Sequence, residues 1–246
     1  MNILVPMVIS NTFFTEDTKY IKVLFEIKRK TILEYIIDRL VSIPNSEFIF
    51  VIHGDDAREH HIDSIIKLLL PDSKIVVAQG DTKGSACSCL LAIDFIDNDE
   101  PLLIVGSDQI INTDLSAIAD FFLSSNLDGG TVIFEDVHPK WSFVMLDEND
   151  LVQYAAEKNP ISKNASAGYY YFRTGEIFIE AAMQMIRKRE MTKGQYYVCP
   201  TFNEMIIQDQ KVGVYRISKS DYFSLTSEKE VEEYKRFIEI IAQKPF

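Results

Sequence analysis

Asp108 closes the run Pro101-Leu-Leu-Ile-Val-Gly-Ser-Asp108-Gln109, and that placement makes its carboxylate chemically interesting. Residues 101–105 read as a buried strand, so the carboxylate emerges at a strand's carboxyl edge, where open parallel sheets bind their ligands. A carboxylate there can hold Mg²⁺, which keeps several waters and bridges the phosphate oxygens of a substrate. It can equally cap a turn, and position alone does not separate the two. A second loop, Gln79-Gly-Asp-Thr82-Lys-Gly84-Ser85, runs into a helix of small residues. Gly84 would let backbone approach a flat ligand, and the helix amino end favours an anion. The four histidines (His53, His60, His61 and His138) show no metal spacing and no neighbouring nucleophile, and read as core or surface residues.

These residues must be carried by a substantial scaffold. A chain of 246 residues, 47% hydrophobic, fits one large α/β domain with a sizeable core. Its net charge of −12 argues against nucleic acid, which calls for patches of lysine and arginine. No apolar run approaches the roughly 18–20 residues that span a bilayer, and no basic-then-apolar leader opens the chain, so membrane insertion is not expected. Cys87 and Cys89 sit in an apolar run as buried thiols, which suits a reducing cytoplasm. Strands are expected at 2–8, 47–53, 74–78 and 101–105, alternating with helices at 31–43, 56–70, 85–96 and 115–126. Thr31-x-x-Glu34 has capping-box spacing, and Asp55 and Asp114 stand at N-cap positions. Nearly continuous apolar strands imply a parallel sheet covered on both faces. After Gly129-Gly130 strands crowd together at 130–135, 142–146, 152–157 and 167–172, with residues 147–150 as a hairpin turn. Helices at 174–189 and 227–241 and a strand at 212–217 complete the pattern, without a linker between the halves.

Several of these segments resemble the sugar nucleotidyltransferases. Asn2-Ile-Leu-Val-Pro6-Met7, Lys22-Val-Leu-Phe-Glu-Ile27 and Lys30-Thr-Ile-Leu-Glu34 follow the layout of that family's opening. Gly84–Ala92 is similar to the segment that walls the nucleobase, and Pro101–Gln109 to the strand ending in the metal-binding aspartate. Ala156-Glu157-Lys158-Asn-Pro160 resembles the motif that contacts the sugar phosphate, and Ala167–Phe172 the strand beneath the sugar. His138-Pro-Lys-Trp141-Ser and Tyr196–Glu204 look like a branch found near polysaccharide and capsule biosynthesis. The resemblance implies a mixed, mostly parallel α/β sheet flanked by helices, similar to the glycosyltransferase-A sandwich. It implies a nucleotide-binding lobe at 1–128 and a sugar-phosphate lobe at 129–246 of one domain. Lys22 and Asp108 become the catalytic pair, with Asp108 the Mg²⁺ ligand. Pro6, Met7, Asn11, Gln79, Thr82, Gly84 and Ser85 would hold the nucleotide. Glu157, Lys158, Gly168, Asn203 and Glu204 would hold the sugar phosphate, with Gly168 leaving room for it. A homodimer or a biosynthetic partner enzyme joins the small molecules as an expected partner.

The chain departs from the family pattern at one ligand end. Ile9 and Asn11 stand at two loop glycines, and Phe13 at an arginine that would grip the β- and γ-phosphates. Phe223-Ser-Leu225-Thr226-Ser-Glu228 replaces the run that bears a second metal aspartate, with Asp221 two residues away. Nucleotidyl transfer to a sugar 1-phosphate or similar building block is the expected activity. A nucleotide-sugar glycosyltransferase and a catalytically silent ligand-binding homologue are the alternatives. Ser107-Asp108-Gln109 lacks the Asp-x-Asp of a glycosyltransferase, whereas loss concentrated at the triphosphate end is what a silent homologue predicts.

Overall fold

Alternation decides the centre of the molecule. In β1 (Asn2–Met7) Ile3, Val5 and Met7 join one buried cluster while Leu4 joins another, as period-two side chains must when both faces of a sheet are covered. The computed structural model of the chain describes residues 1–8, 12–14 and 19–242. Its main sheet adds β2 (Glu47–His53), β3 (Lys74–Ala78), β4 (Leu102–Val105), β5 (Gly129–Glu135), β6 (Ser142–Leu146), β7 (Val152–Glu157), β8 (Asn164–Phe172) and β9 (Val212–Arg216). Strands β1 to β4 are parallel neighbours in the order β4-β1-β2-β3, while β8 runs antiparallel to β4. The helices are α1 (Ile32–Leu40), α2 (Gly54–His60), α3 (Ile62–Leu69), α4 (Ser85–Leu90), α5 (Ile93–Ile96), α6 (Leu115–Ser124), α7 (Gly175–Lys188), α8 (Thr201–Ile207) and α9 (Glu228–Ala242). One face buries Ile32, Ile36, Leu40 and Phe122; the other buries Ile96, Phe178 and Phe202. The fold is therefore the mixed, mostly parallel α/β sandwich.

A fork in this sheet creates the space for a ligand. Ala165 of β8 pairs with both Phe134 and Phe143, and Tyr170 pairs with both Thr131 and Ile104. Because a strand has two edges and β5 occupies one along its length, β4 and β6 share the other. Between Ala165 and Tyr169 that shared edge carries no register pair, and the two partner strands diverge.

Local chemistry redraws several boundaries. The Thr31–Glu34 capping box forms, with the Thr31 amide donating to the Glu34 carboxylate at 2.7 Å and the Glu34 amide donating to the Thr31 hydroxyl at 3.2 Å. Asp114 caps α6 through the Ser116 amide at 2.9 Å. The expected helix at 56–70 instead starts at Gly54, capped by the His53 side chain rather than Asp55, and breaks where His61 adopts a φ of 53°. The helix expected over 85–96 divides between Leu90 and Ile93. Helix α8 and the three-residue pair Gln109–Ile111 with Tyr222–Ser224 are additions. So are the short pairs Thr12–Phe14 with Lys19–Ile21 and Glu26–Ile27 with Lys30–Thr31.

Candidate active site

The divergence of β4 and β6 opens a cleft of about 570 Å³, within the range usual for small-molecule sites. One rim is the carboxyl edge of β4, where Gly106, Ser107 and Asp108 follow the strand and Lys22 approaches from a single 3₁₀ turn, Lys22–Leu24. Lys22 is buried and lines the cleft. The backbone here is interlocked. The Gly168 carbonyl accepts from the Gly106 amide at 3.1 Å and from Gln109 Nε2 at 3.0 Å. A Cβ at Gly106 would lie 2.4 Å from Gln109 Nε2, and one at Gly168 only 2.1 Å from it. The Gln109 side chain fills the notch both glycines leave, and Gly168, at φ 74°, also needs the backbone freedom of glycine. The Leu225 amide donates to the Asp108 carbonyl at 2.7 Å, which brings the 222–226 segment beside the carboxylate. Tyr222 is buried there, and burial together with the nearby Asp108 charge pushes its phenol well up.

The opposite wall is made of side chains that hold one another. Ser142 and Glu157 face each other across the β6–β7 pair, and the Ser142 hydroxyl donates to the Glu157 carboxylate. Burial pushes the Glu157 carboxyl above its ordinary value, against the pull of that hydrogen bond and of Lys158. Lys158 sits at φ 53°, its amide bonded to the Trp141 carbonyl at 2.9 Å. Its ammonium donates to the Tyr197 hydroxyl at 2.6 Å, and that hydroxyl donates to Gln195 Oε1 at 2.8 Å. Trp141 packs edge-on against Phe134 and Tyr222, with the Lys140 ammonium 4.0 Å from the centre of its ring. Lys140 is ion-paired to Glu230, which also accepts from the Thr226 amide at 3.0 Å and hydroxyl at 2.6 Å. Burial pushes Glu230 up, but the hydrogen bonds from Lys140, Thr226 and Ser224 outweigh it and bring the carboxyl down to about 2.

Seven of the residues singled out in the sequence meet in this cleft: Pro6, Lys22, Ser85, Asp108, Glu157, Lys158 and Gly168. The others among the described residues do not line it. Met7 is core. Gln79 is exposed beyond β3, and Thr82 bonds to Ser88 at 2.7 Å and to the Gly84 carbonyl at 3.2 Å. Gly84, at φ 113°, makes its close approach to protein instead of ligand, since a Cβ there would fall 2.1 Å from the Tyr196 carbonyl oxygen. That carbonyl takes the Ala86 amide at 3.1 Å, so a donor of the helix amino end is already engaged. The room expected beside Gly168 is filled by Gln109. Asn203 pins α8 to β7, its side chain exchanging two 2.8 Å bonds with the Ala155 backbone. Glu204 is buried and paired with Lys188 at 2.7 Å. Asp221 is not among the lining residues. Ile9, Asn11 and the side chain of Phe13 lie outside the described residues. Sequence reasoning missed Gln109, Lys140, Gln195, Tyr197 and Tyr222 as lining residues. Gln109, Lys140 and Tyr197 lie inside segments already singled out, and Gln195 and Tyr222 next to such segments.

Solved structures share this architecture. The nucleoside-diphosphate-sugar pyrophosphorylase from Vibrio cholerae RC9 is similar with a TM-score of 0.78 at 21% identity, over 96% of this chain and 100% of that one. The inositol-1-phosphate CTP transferase from T. maritima is similar with a TM-score of 0.77 at 12% identity, over 100% of this chain and 97% of that one. A curated relative, the bifunctional protein GlmU from Pseudothermotoga lettingae, is 24% identical over 84% of this chain. The chain spans about half of that relative's length, 45% of it. The fold is thus that of nucleotidyltransferases. A sequence model of the nucleotidyl transferase family matches residues 18–219, and the chain belongs to that family. Among the described residues no helix is long and apolar enough to cross a membrane.

Proposed function

We propose that the chain transfers a nucleotidyl group from a nucleoside triphosphate to a sugar 1-phosphate or similar phosphorylated building block, in the cytoplasm and in the service of surface polysaccharide synthesis. One observation carries the reading: a single cleft has Lys22 and Asp108 on one rim and Glu157 and Lys158 on the other. An oxygen of the acceptor phosphate attacks the α-phosphorus of the triphosphate. The new P–O bond forms as the bond from that phosphorus to the bridging oxygen breaks, and pyrophosphate leaves with the electron pair. The attacking oxygen is already anionic, so no protein base is needed, and placement with charge neutralisation does most of the catalysis. In this reading Lys22 lies against the nucleotide phosphates and Lys158 against the acceptor phosphate. Glu157, buried beside Lys158, accepts from a sugar hydroxyl. Mg²⁺ fits as an ion shared with the substrate. Asp108 supplies one carboxylate, and no group of three or more His, Cys, Asp or Glu side chains that could hold a metal exists among the described residues. One carboxylate plus phosphate oxygens and waters is an ordinary magnesium environment, and the ion would neutralise phosphate charge there.

A second reading, binding without turnover, has its own support. The segment beside Asp108 offers Ser224 and Thr226 instead of a carboxylate, while Phe223 packs against Phe237 at 4.4 Å. A panel of triphosphates with sugar 1-phosphates and Mg²⁺ separates the two readings, scored by thermal shift and pyrophosphate release. A ligand at a hundredfold excess over its dissociation constant adds about 2.7 kcal/mol of stability. Pyrophosphate release that depends on both substrates and is lost in Asp108→Asn supports transfer. Thermal shifts without release support the silent homologue, and no shift with any ligand overturns both.

A further inference from the structure

Lysines in this half of the chain differ in what faces them. Lys140 meets the Glu230 carboxylate, Lys219 meets Asp136 at 2.9 Å, and Lys188 meets Glu204 at 2.7 Å. Lys158 meets a phenol: its ammonium donates to Tyr197 Oη at 2.6 Å and lies 4.6 Å from the centre of that ring. Among the described residues no carboxylate oxygen lies within 4.0 Å of it. A neutral oxygen fixes where an ammonium sits without cancelling its charge, whereas a carboxylate does both.

The phenol is itself fixed from behind. Its hydrogen goes to Gln195 Oε1 at 2.8 Å, which leaves its lone pairs for the ammonium. Gln195 is held by backbone bonds to Thr192 at 2.9 and 3.0 Å. The next residue, Tyr196, bonds to the Lys83 carbonyl at 2.7 Å and to the Ala86 amide at 3.1 Å. The segment carrying Tyr197 is therefore braced against the loop before α4, and Gln195, Tyr197 and Lys158 all line the cleft.

Resting on the transfer reading above, we propose that Tyr197, backed by Gln195, is the positioning residue of the acceptor end: it presents the Lys158 ammonium to the cleft with no carboxylate paired directly to it and so selects for a phosphate there. Three proteins carry the test, Tyr197→Phe, Lys158→Ala and the double variant, with Gln195→Ala as a milder probe. Binding is measured calorimetrically for glucose 1-phosphate, N-acetylglucosamine 1-phosphate, inositol 1-phosphate and inorganic phosphate. The reactivity of Lys158 is measured by competitive acetylation with mass-spectrometric readout. Tyr197→Phe keeps the ring and should weaken the best phosphate ligand about tenfold, the scale of one hydrogen bond to a charged group. Nucleotide affinity should stay unchanged. The double variant should bind no more weakly than Lys158→Ala, because the phenol acts through the lysine. Lys158 should acetylate several-fold faster once the hydroxyl is gone, with Gln195→Ala shifting it the same way by less. Additive losses, or unchanged binding with unchanged acetylation, would overturn the proposal. If the unmodified protein binds none of the four ligands, the transfer reading fails; acetylation then still decides the role of Tyr197, and an unchanged rate in Tyr197→Phe would overturn it.

Discussion

The two rims of the cleft are built by different means. On the β4 side glycines do the fitting: Gly106 and Gly168 enclose the Gln109 side chain, and outside the cleft lining Gly84 lies against the Tyr196 carbonyl. On the β7 side single polar groups hold one another, Ser142 with Glu157 and Lys158 with Tyr197. A rim closed on glycines has no room for an added atom while Gln109 stands, whereas a wall of paired side chains loses affinity or stability in graded steps. The wall also contains two carboxyls driven in opposite directions. Burial raises Glu157, while the ring of donors around Glu230 lowers it to about 2.

The strongest test of this contrast is Gly84→Ala. A new Cβ 2.1 Å from a backbone carbonyl oxygen, at φ 113°, combines overpacking with backbone strain. Together these should cost about 4 kcal/mol and lower the melting temperature by roughly 8–16 °C. A loss under about 1 kcal/mol in a calorimetric melt would mean that a glycine-fitted contact gives way as easily as the paired side chains of the wall. Lys158→Ala should weaken acceptor binding by about 1.5–3 kcal/mol with little change in nucleotide affinity. Equal losses for both ligands, seen by titration calorimetry, would erase the division into two ends. Asn203→Ala removes both bonds to Ala155 and should destabilise the protein by about 1–3 kcal/mol in urea, with a smaller effect on ligand affinity than on the fold.

The smallest effects are in pH dependence, and their signs are opposed. Glu157 is raised above its ordinary 4.5, so its contribution to stability is fully present below that value and is lost as pH rises through its folded one. Glu157→Gln should flatten that decline. Glu230, lowered to about 2, contributes stability that is present above 4.5 and is lost as pH falls toward 2. Glu230→Gln should weaken the protein at neutral pH and flatten its acid limb. Urea midpoints between pH 2 and 8 check both, and curves that move the same way would remove the contrast.

Much of this was legible in the sequence where one short segment carried the whole signal. The buried parallel strands followed from continuous apolar runs, and the Thr31–Glu34 box from its own spacing. Asp108, Glu157 and Lys158 could be placed because each ends or follows a readable strand. What could not be read depends on residues that meet only in space. Tyr197 faces Lys158 across 39 positions, and Gln109 reaches Gly168 across 59. Asn203 and Glu204 have residue types suited to a ligand, yet their partners are Ala155 and Lys188. The break at His61 arises because a left-handed residue can end one helix and start the next, which helical periodicity does not register.

The Gln109 notch also bears on how this chain can change over generations. Position 106 has no unusual φ, so what bars a larger residue there is the end of one glutamine side chain, 2.4 Å from the added Cβ. Gly106→Ala should therefore be harmful alone and nearly harmless after Gln109→Ala, so the order of the two substitutions decides whether the path is open. Position 168 gains no such release, because its φ of 74° persists whatever residue stands at 109.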